Sequence, residues 1–323
     1  MGVILRQSAV GKVPLQRHLV GRNGCTYLIQ KFLQSREDSA NTISLASHNS
    51  CNYVLKRVSP DQYEQARRIR QELSDSRFIR LHVDENEAES TLIFPYFTED
   101  LLSFLQHISL PIDKTKGVLR DILRGIKALH DKDWVHTDLK SNNILLMYTA
   151  SSSDEVDITQ VNVADWDNAA KVTEGQAITG TQVGNVMWRS PEAHAGIRIG
   201  KASDIFSFGI IVIYAILRIH IFGFNQLPEG VEPQAEVLYR MISYFGPVPI
   251  GLLEHINDDR WCIALIDINR SFNESNPAKP FSSWKDFPQL DTKTKRFIGR
   301  IVELDPAKRA TAAELLEDSW WYS

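Results

Sequence analysis

The sequence predicts an α+β fold of two lobes, a small β-rich N-terminal lobe with one main helix and a larger, mainly helical C-terminal lobe. Three observations carry this. β-Branched and aromatic runs fill much of the first hundred residues, helical apolar spacing takes over after Asp100, and no internal repeat breaks the progression. The expected division is an N-terminal extension at 1–18, an N-terminal lobe at 19–97 and a C-terminal lobe at 98–323, with a single domain running over about 19–321.

The elements follow in order. Residues 15–33 and 53–58 read as strands, and the polar stretch between them, QSREDSANTISLASHNSCN, reads as a surface insertion or long loop. In DQYEQARRIRQEL, Tyr63, Ala66, Ile69 and Leu73 recur at three- and four-residue spacing and share one helix face. FIRLHV and STLIFPYF then read as two further strands. Beyond them, Val118, Ile122, Ile126 and Leu129 mark a long amphipathic helix. The Ser- and acid-rich run YTASSSDEVDITQ is typical of a turn between paired strands, and residues 200–323 are mostly helical in pattern.

Composition narrows the function classes. With 323 residues and 43% hydrophobic content the chain reads as an ordinary soluble protein, and a net charge of −4 without a long basic run argues against nucleic acid as a partner. Cys25, Cys51 and Cys262 are widely spaced and odd in number, so neither a disulfide framework nor a zinc site is expected, and an intracellular protein, cytoplasmic or nuclear, is. No targeting segment is evident in MGVILRQSAV. The run IIVIYAIL, residues 210–217, is too short to span a bilayer and reads as a buried helix; no membrane partner is expected.

The chemistry concentrates in HTDLKSNN, residues 136–143, which follows the pattern H-R-D-L-x-x-x-N except for Thr137 in place of arginine. Upstream, YVLK matches V-A-I-K at Lys56; downstream, VADWD puts Asp165 at the aspartate of D-F-G, and Ser190, Pro191 and Glu192 stand for A-P-E. SDIFSFG at 203–209 and LDPAKRATAAELLEDSWW at 304–321 complete the order. On these motifs the chain resembles the eukaryotic protein kinase superfamily, as a divergent, fungal-type serine/threonine protein-kinase-like sequence. The resemblance implies a bilobal protein-kinase-like fold and transfer of phosphate from ATP, with Mg2+, to Ser or Thr hydroxyls of a protein substrate. Asp138 would then be the catalytic base, Lys140 a cation for the migrating group, and Asn143 and Asp165 the magnesium ligands. Lys56 would neutralise the nucleotide phosphates and Gly21 and Gly24 would belong to the phosphate-covering loop. At the hinge, Pro95 would give its carbonyl and Phe97 its N–H to adenine, with Leu145 beneath the ring; proline fits, since that position needs only an acceptor. Glu192 with Arg309, and Asp204, resemble the anchors of the activation segment and of the catalytic loop.

Four departures accompany the resemblance. Asn23 replaces a glycine of the loop, although asparagine tolerates left-handed backbone. Ala66 stands where the helix should offer Lys56 a glutamate, and Glu64 and Glu72 lie roughly 200° and 240° around the helix. Trp166 and Asp167 replace Phe and Gly of D-F-G; the indole can fill the apolar slot, while the Asp167 carboxylate could bind a metal or restrict the loop. Thr137 removes the arginine that pairs with a phosphorylated activation segment, so Thr173, Thr179 and Thr181 read as exposed loop threonines. Two further classes stay open: a pseudokinase that binds without turnover, and a small-molecule kinase, which shares the H-x-D-x-x-x-x-N loop but lacks the A-P-E to closing-arginine arrangement.

Overall fold

The computed structural model describes residues 17–34, 42–150, 156–224, 226–227 and 229–323. Of the expected N-terminal extension only residues 17 and 18 are among them, and the reading of a targeting segment lies outside them. The chain forms two compact units: residues up to Phe104 with Asn142–Asp167, and Leu105–Ser141 with Asn168–Ser323. The single expected cut at 97/98 is therefore replaced by three crossings, because a later hairpin pairs with a strand of the first unit.

In chain order, the first unit begins with β1 (His18–Val20), β2 (Thr26–Gln34), β3 (Ile43–His48) and β4 (Cys51–Arg57), then α1 (Pro60–Leu73), β5 (Asp84–Asn86), β6 (Thr91–Pro95) and β7 (Glu99–Asp100). Helix α2 (Leu101–His107) leads to α3 (Ile112–His130) and β8 (Trp134–Val135) of the second unit. β9 (Ile144–Ala150) and β10 (Val156–Val163) return to the first unit, where β9 pairs with both β10 and β7. The second unit resumes with β11 (Ala170–Lys171), α4 (Pro191–Ala195), α5 (Lys201–Leu217), α6 (Pro233–Phe245), α7 (Ile250–Ile256), α8 (Asp259–Arg270), α9 (Thr292–Ile301) and α10 (Ala312–Leu316).

The main sheet of the first unit runs β1-β2-β3-β4-β6-β5 and is antiparallel at each pairing. The expected loop at 34–52 is corrected here: β3 lies within it. Ile43 to His48 alternate about the strand, and the small residues Ser44 and Ala46 are the ones turned inward and buried, so a scan for large apolar residues passes over them. Asn49 and Ser50, both at positive φ, close a two-residue hairpin that fixes His48 opposite Cys51. FIRLHV is also corrected. Only Ile79 makes a bridge, to Val163, and the strand begins at Asp84.

Alternation divides the sheet into two faces. Leu19, Tyr27, Ala46, Leu55 and Ile93 pack together on one; on the other, Leu92 and Phe94 pack with Val58 and with Tyr63 of α1. Ser59 caps α1 through a capping box with Gln62, Pro60 follows at the first helical position, and Tyr63, Ile69 and Leu73 form the buried face as their spacing requires. The β9–β10 hairpin extends further than the Ser-rich run suggested, with Ala150 opposite Val156; residues 151–155 lie outside the described residues.

In the second unit, α3 buries Val118, Ile122, Ile126 and Leu129, and α5 is buried along nearly its whole length, including residues 210–217. The apolar segment around α6 and α7 is likewise core, through Val237, Leu238, Met241, Ile242, Leu252 and Ile256. No helix among the described residues is long and apolar enough to cross a membrane.

Candidate active site

In the first unit, β4 carries Lys56 on the face that packs against α1, with Ile43 of β3 and Leu92 of β6 as its cross-strand neighbours. Its Nζ lies 2.6 Å from Asp165 Oδ1 and 2.7 Å from Asp167 Oδ1. Burial pulls the lysine pKa down, but the two carboxylates outweigh it and hold the pKa above its ordinary value, so the ammonium stays charged. The loop that bears both carboxylates is anchored at its centre. Trp166 is buried, its indole N–H donates to the Arg80 carbonyl at 3.1 Å, and its own carbonyl accepts from Gln65 of α1 at 2.9 Å. Asp165 adopts φ +70°, a left-handed conformation. Just upstream, the Ala164 N–H donates to the carbonyl of Asn143, a buried residue, at 2.8 Å.

At the hinge, Pro95 ends β6 and its carbonyl accepts from Arg80 Nη2 at 2.8 Å. The Arg80 guanidinium also lies 4.9 Å from the centre of the Phe94 ring and 5.7 Å from that of Phe97. Burial lowers its pKa to about 10, with Asp165 opposing, so it remains a cation at neutral pH. Phe97 is buried. Leu145 is the half-exposed member of β9, between the fully buried Ile144 and Leu146.

Gly21 and Gly24 are not brought to the lysine. They form the turn between β1 and β2, and that turn is fastened to β5: the Arg22 N–H donates to the Glu85 carbonyl at 2.7 Å, and the Asn23 N–H and Tyr27 hydroxyl donate to Asp84 at 3.2 and 3.0 Å. A Cβ on Gly21 would stand 1.9 Å from Asp84 Oδ2, so the missing side chain is what allows this contact. These two glycines help bridge the sheet's edge strands. Lys56 stands opposite Ile43, the first residue of β3; residues 35–41, between β2 and β3, lie outside the described residues, and their sequence contains no glycine.

In the second unit, Asp138 and Lys140 are both buried, and Lys140 Nζ donates to Asp138 Oδ2. Asp204 of α5 holds the loop that carries them: its carboxylate accepts from the N–H groups of His136 and Thr137 at 2.8 and 2.9 Å and from His130 Nε2 at 3.0 Å. Thr137 sits at φ +66°, and its hydroxyl donates to the Asn168 carbonyl at 2.7 Å. Gly184 packs onto this loop so closely that a Cβ would lie 2.5 Å from the Thr137 carbonyl oxygen. Arg189 steadies the same stretch by donating to the carbonyls of Val183 and Gly184 at 2.8 and 3.0 Å. Behind it, Arg309 forms a two-pronged, fully buried pair with Glu192 at 2.6 and 3.1 Å and also donates to the Glu303 carbonyl.

This set, a buried aspartate and lysine on a clamped loop, a segment anchored by Glu192 and Arg309, and a strand lysine paired with the aspartate of VADWD, is the motif order realised in structure. A family model described as protein kinase domain matches residues 43–321. The chain belongs to the protein kinase family. Serine/threonine-protein kinase STE20 of Eremothecium gossypii is 27% identical over 68% of this chain and 17% of its own length. Human serine/threonine-protein kinase PAK 4 is 22% identical over 90% of this chain and 42% of its own. The chain thus spans less than half the length of these relatives. Its fold is that of a protein kinase, matching a chain in the crystal structure of the yeast RNA Pol II CTD kinase CTDK-1 complex with a TM-score of 0.73 over 98% of this chain and 97% of that one, at 18% identity.

Sequence reasoning missed three residues of the first unit: Gln65, Arg80 and Asp84. Gln65 and Asp84 act through partners 101 and 57 positions away, and Arg80 through the Pro95 carbonyl 15 positions on, so no motif announces them. Thr173, Thr179 and Thr181 are exposed, as read.

Proposed function

We propose that the chain is an ATP- and magnesium-dependent kinase that phosphorylates Ser or Thr hydroxyls of protein substrates, working as one catalytic unit over about residues 19–321. The observation that carries this reading is the Asp138–Lys140 pair, buried on a loop whose backbone N–H groups are fixed by Asp204. Asp138 accepts the proton of the substrate hydroxyl, and Lys140, bonded to it, offers positive charge to the transferring group. Lys56 binds the nucleotide phosphates, while the Pro95 carbonyl, the Phe97 N–H and the Leu145 side chain receive the adenine.

The donors suit magnesium. Among the described residues no His, Cys, Asp and Glu cluster forms a metal cage, but magnesium with nucleotide needs only one or two carboxylates beside phosphate and water. Asp165 and the amide oxygen of Asn143 would hold it. It would supply positive charge against the nucleotide phosphates. An intracellular location accords with three free cysteines.

Two observations favour the pseudokinase reading: Lys56 is engaged by both carboxylates, and Arg80 already donates to the Pro95 carbonyl. Transfer from γ-labelled ATP to a mixed Ser/Thr peptide pool, compared between the natural protein and Asp138→Ala, separates the two. The kinase reading expects a loss of about 10²- to 10⁴-fold in the variant. Equal signals would sink it; nucleotide binding without transfer by the natural protein would establish the binding module; transfer to a metabolite but not to peptide would establish a small-molecule kinase.

A further inference from the structure

Lys56 is largely buried, its side chain about 18% exposed, and a buried ammonium requires an anionic partner. Helix α1, which packs against the same face of the sheet, does not provide one at the expected place. Ala66 packs among Val58, Tyr63, Leu92 and Phe94, and Glu64 is turned to solvent beside Arg67 at 3.3 Å. The helix does reach the VADWD loop, but through the neutral amide of Gln65 on the Trp166 carbonyl.

We propose that Asp167, standing where the family pattern has glycine, is the positioning residue for Lys56, supplying from the metal-binding loop the carboxylate that α1 lacks. The proposal rests on the kinase reading above. Asp165 and Asp167 are two residues apart around Trp166, which is fixed by one bond to Arg80 and one to Gln65, so both carboxylates come to the same side and flank one Nζ. Two carboxylates on one cation leave one to spare. Were Asp165 to hold magnesium, Asp167 would still be in place for Lys56. A glycine at 167 would leave the lysine without that second anion. The orientation of Lys56 is then set by the loop, to which α1 is tied by the amide of Gln65.

The first test uses the nucleotide-free full chain. Acylation of Lys56 by acetic anhydride is followed by mass spectrometry across alkaline pH for the natural protein, Asp167→Asn, Asp167→Glu, Glu64→Gln and Glu72→Gln. The slow acylation of Lys56 is expected to be lost in Asp167→Asn, its rate at a given pH rising about tenfold, since Nζ then loses one of the two carboxylates that engage it. Asp167→Glu restores it, and the two helix variants leave it unchanged. An unchanged Lys56 in Asp167→Asn, or a rise of the same size in either helix variant, overturns the proposal.

The second test measures affinity for a fluorescent ATP analogue with magnesium and with EDTA. Asp167→Asn is expected to weaken binding about tenfold in both buffers and to cause no further loss in a Lys56→Met background, because it acts through the lysine. A loss seen only with magnesium and persisting in Lys56→Met would make Asp167 a metal ligand and overturn the assignment. A natural protein that binds no nucleotide would overturn the kinase reading, and the acylation result would still decide whether Asp167 holds Lys56.

Discussion

The unit that carries Asp138 keeps the family's partners almost intact, whereas the unit that carries Lys56 keeps the functional groups and exchanges their partners. In the former, Asp204 clamps the loop backbone, and Glu192 pairs with Arg309 out of reach of solvent. In the latter, the lysine's carboxylates come from a loop, a tryptophan replaces phenylalanine and an arginine occupies the hinge carbonyl. The difference teaches where substitution is tolerated. A fully buried pair with every polar atom engaged cannot lose one member cheaply, since the other is left as an unpaired charge. A largely buried lysine also needs an anion, but that anion can come from any segment that reaches it.

The sharpest way to break the comparison is to make the same change on both sides. Arg309→Met should cost about 3–5 kcal/mol in urea unfolding, because Glu192 is left buried and unpaired. Arg80→Met should cost far less, within about 1 kcal/mol of the natural protein or on the stabilising side, because Arg80 has no direct ion pair and its Nε is buried without a partner. Equal losses would show that the two arginines are held alike.

Acid gives the next largest effect. His194, fully buried beside Arg189, has its pKa lowered to about 3 chiefly by burial, against about 6.5 in the unfolded chain. The unfolded state therefore binds the proton first, so this contribution is complete above pH 6.5 and is lost as pH falls toward 3. Calorimetric stability should drop by about 2 kcal/mol between pH 7 and pH 5 on this account, and His194→Gln should remove most of that slope. A slope that survives the substitution would place the acid sensitivity elsewhere, the first unit's buried His82 being the obvious second source, with its pKa lowered to about 4 by burial.

The smallest effect should come from the activation segment. Thr137 ties the loop to the Asn168 carbonyl with its own hydroxyl and offers no guanidinium to a phosphate. Replacing Thr173, Thr179 and Thr181 together by alanine should therefore change phosphoryl transfer by less than about twofold. A collapse of activity would reveal a phosphate receptor other than residue 137.

Much of this was legible in the sequence where the chemistry is local. HTDLKSNN encodes its own loop, the apolar spacing of α1 and α3 named their buried faces, and the run at 210–217 announced the buried α5. The β3 strand escaped because Ser44 and Ala46, its inward residues, look like loop composition; only the Asn49–Ser50 turn signalled a hairpin. Gly21 and Gly24 misled for a related reason. Their spacing resembles a phosphate loop, but a glycine is equally required where a turn presses on a buried carboxylate, and Asp84, which decides between the two, lies about sixty residues on. Asp167 was visible as a departure, while its bond to Lys56 spans 111 positions and only the fold brings it about.

The central claim is that the exchanged partners around Lys56 preserve a working site for magnesium and nucleotide. Isothermal titration of the full chain with a non-hydrolysable ATP analogue, in magnesium and in EDTA, for the natural protein and Asp165→Asn, tests it most directly. Binding that magnesium strengthens in the natural protein, with that gain abolished in Asp165→Asn, is the predicted result. Absence of binding, or binding indifferent to both magnesium and Asp165, would contradict it.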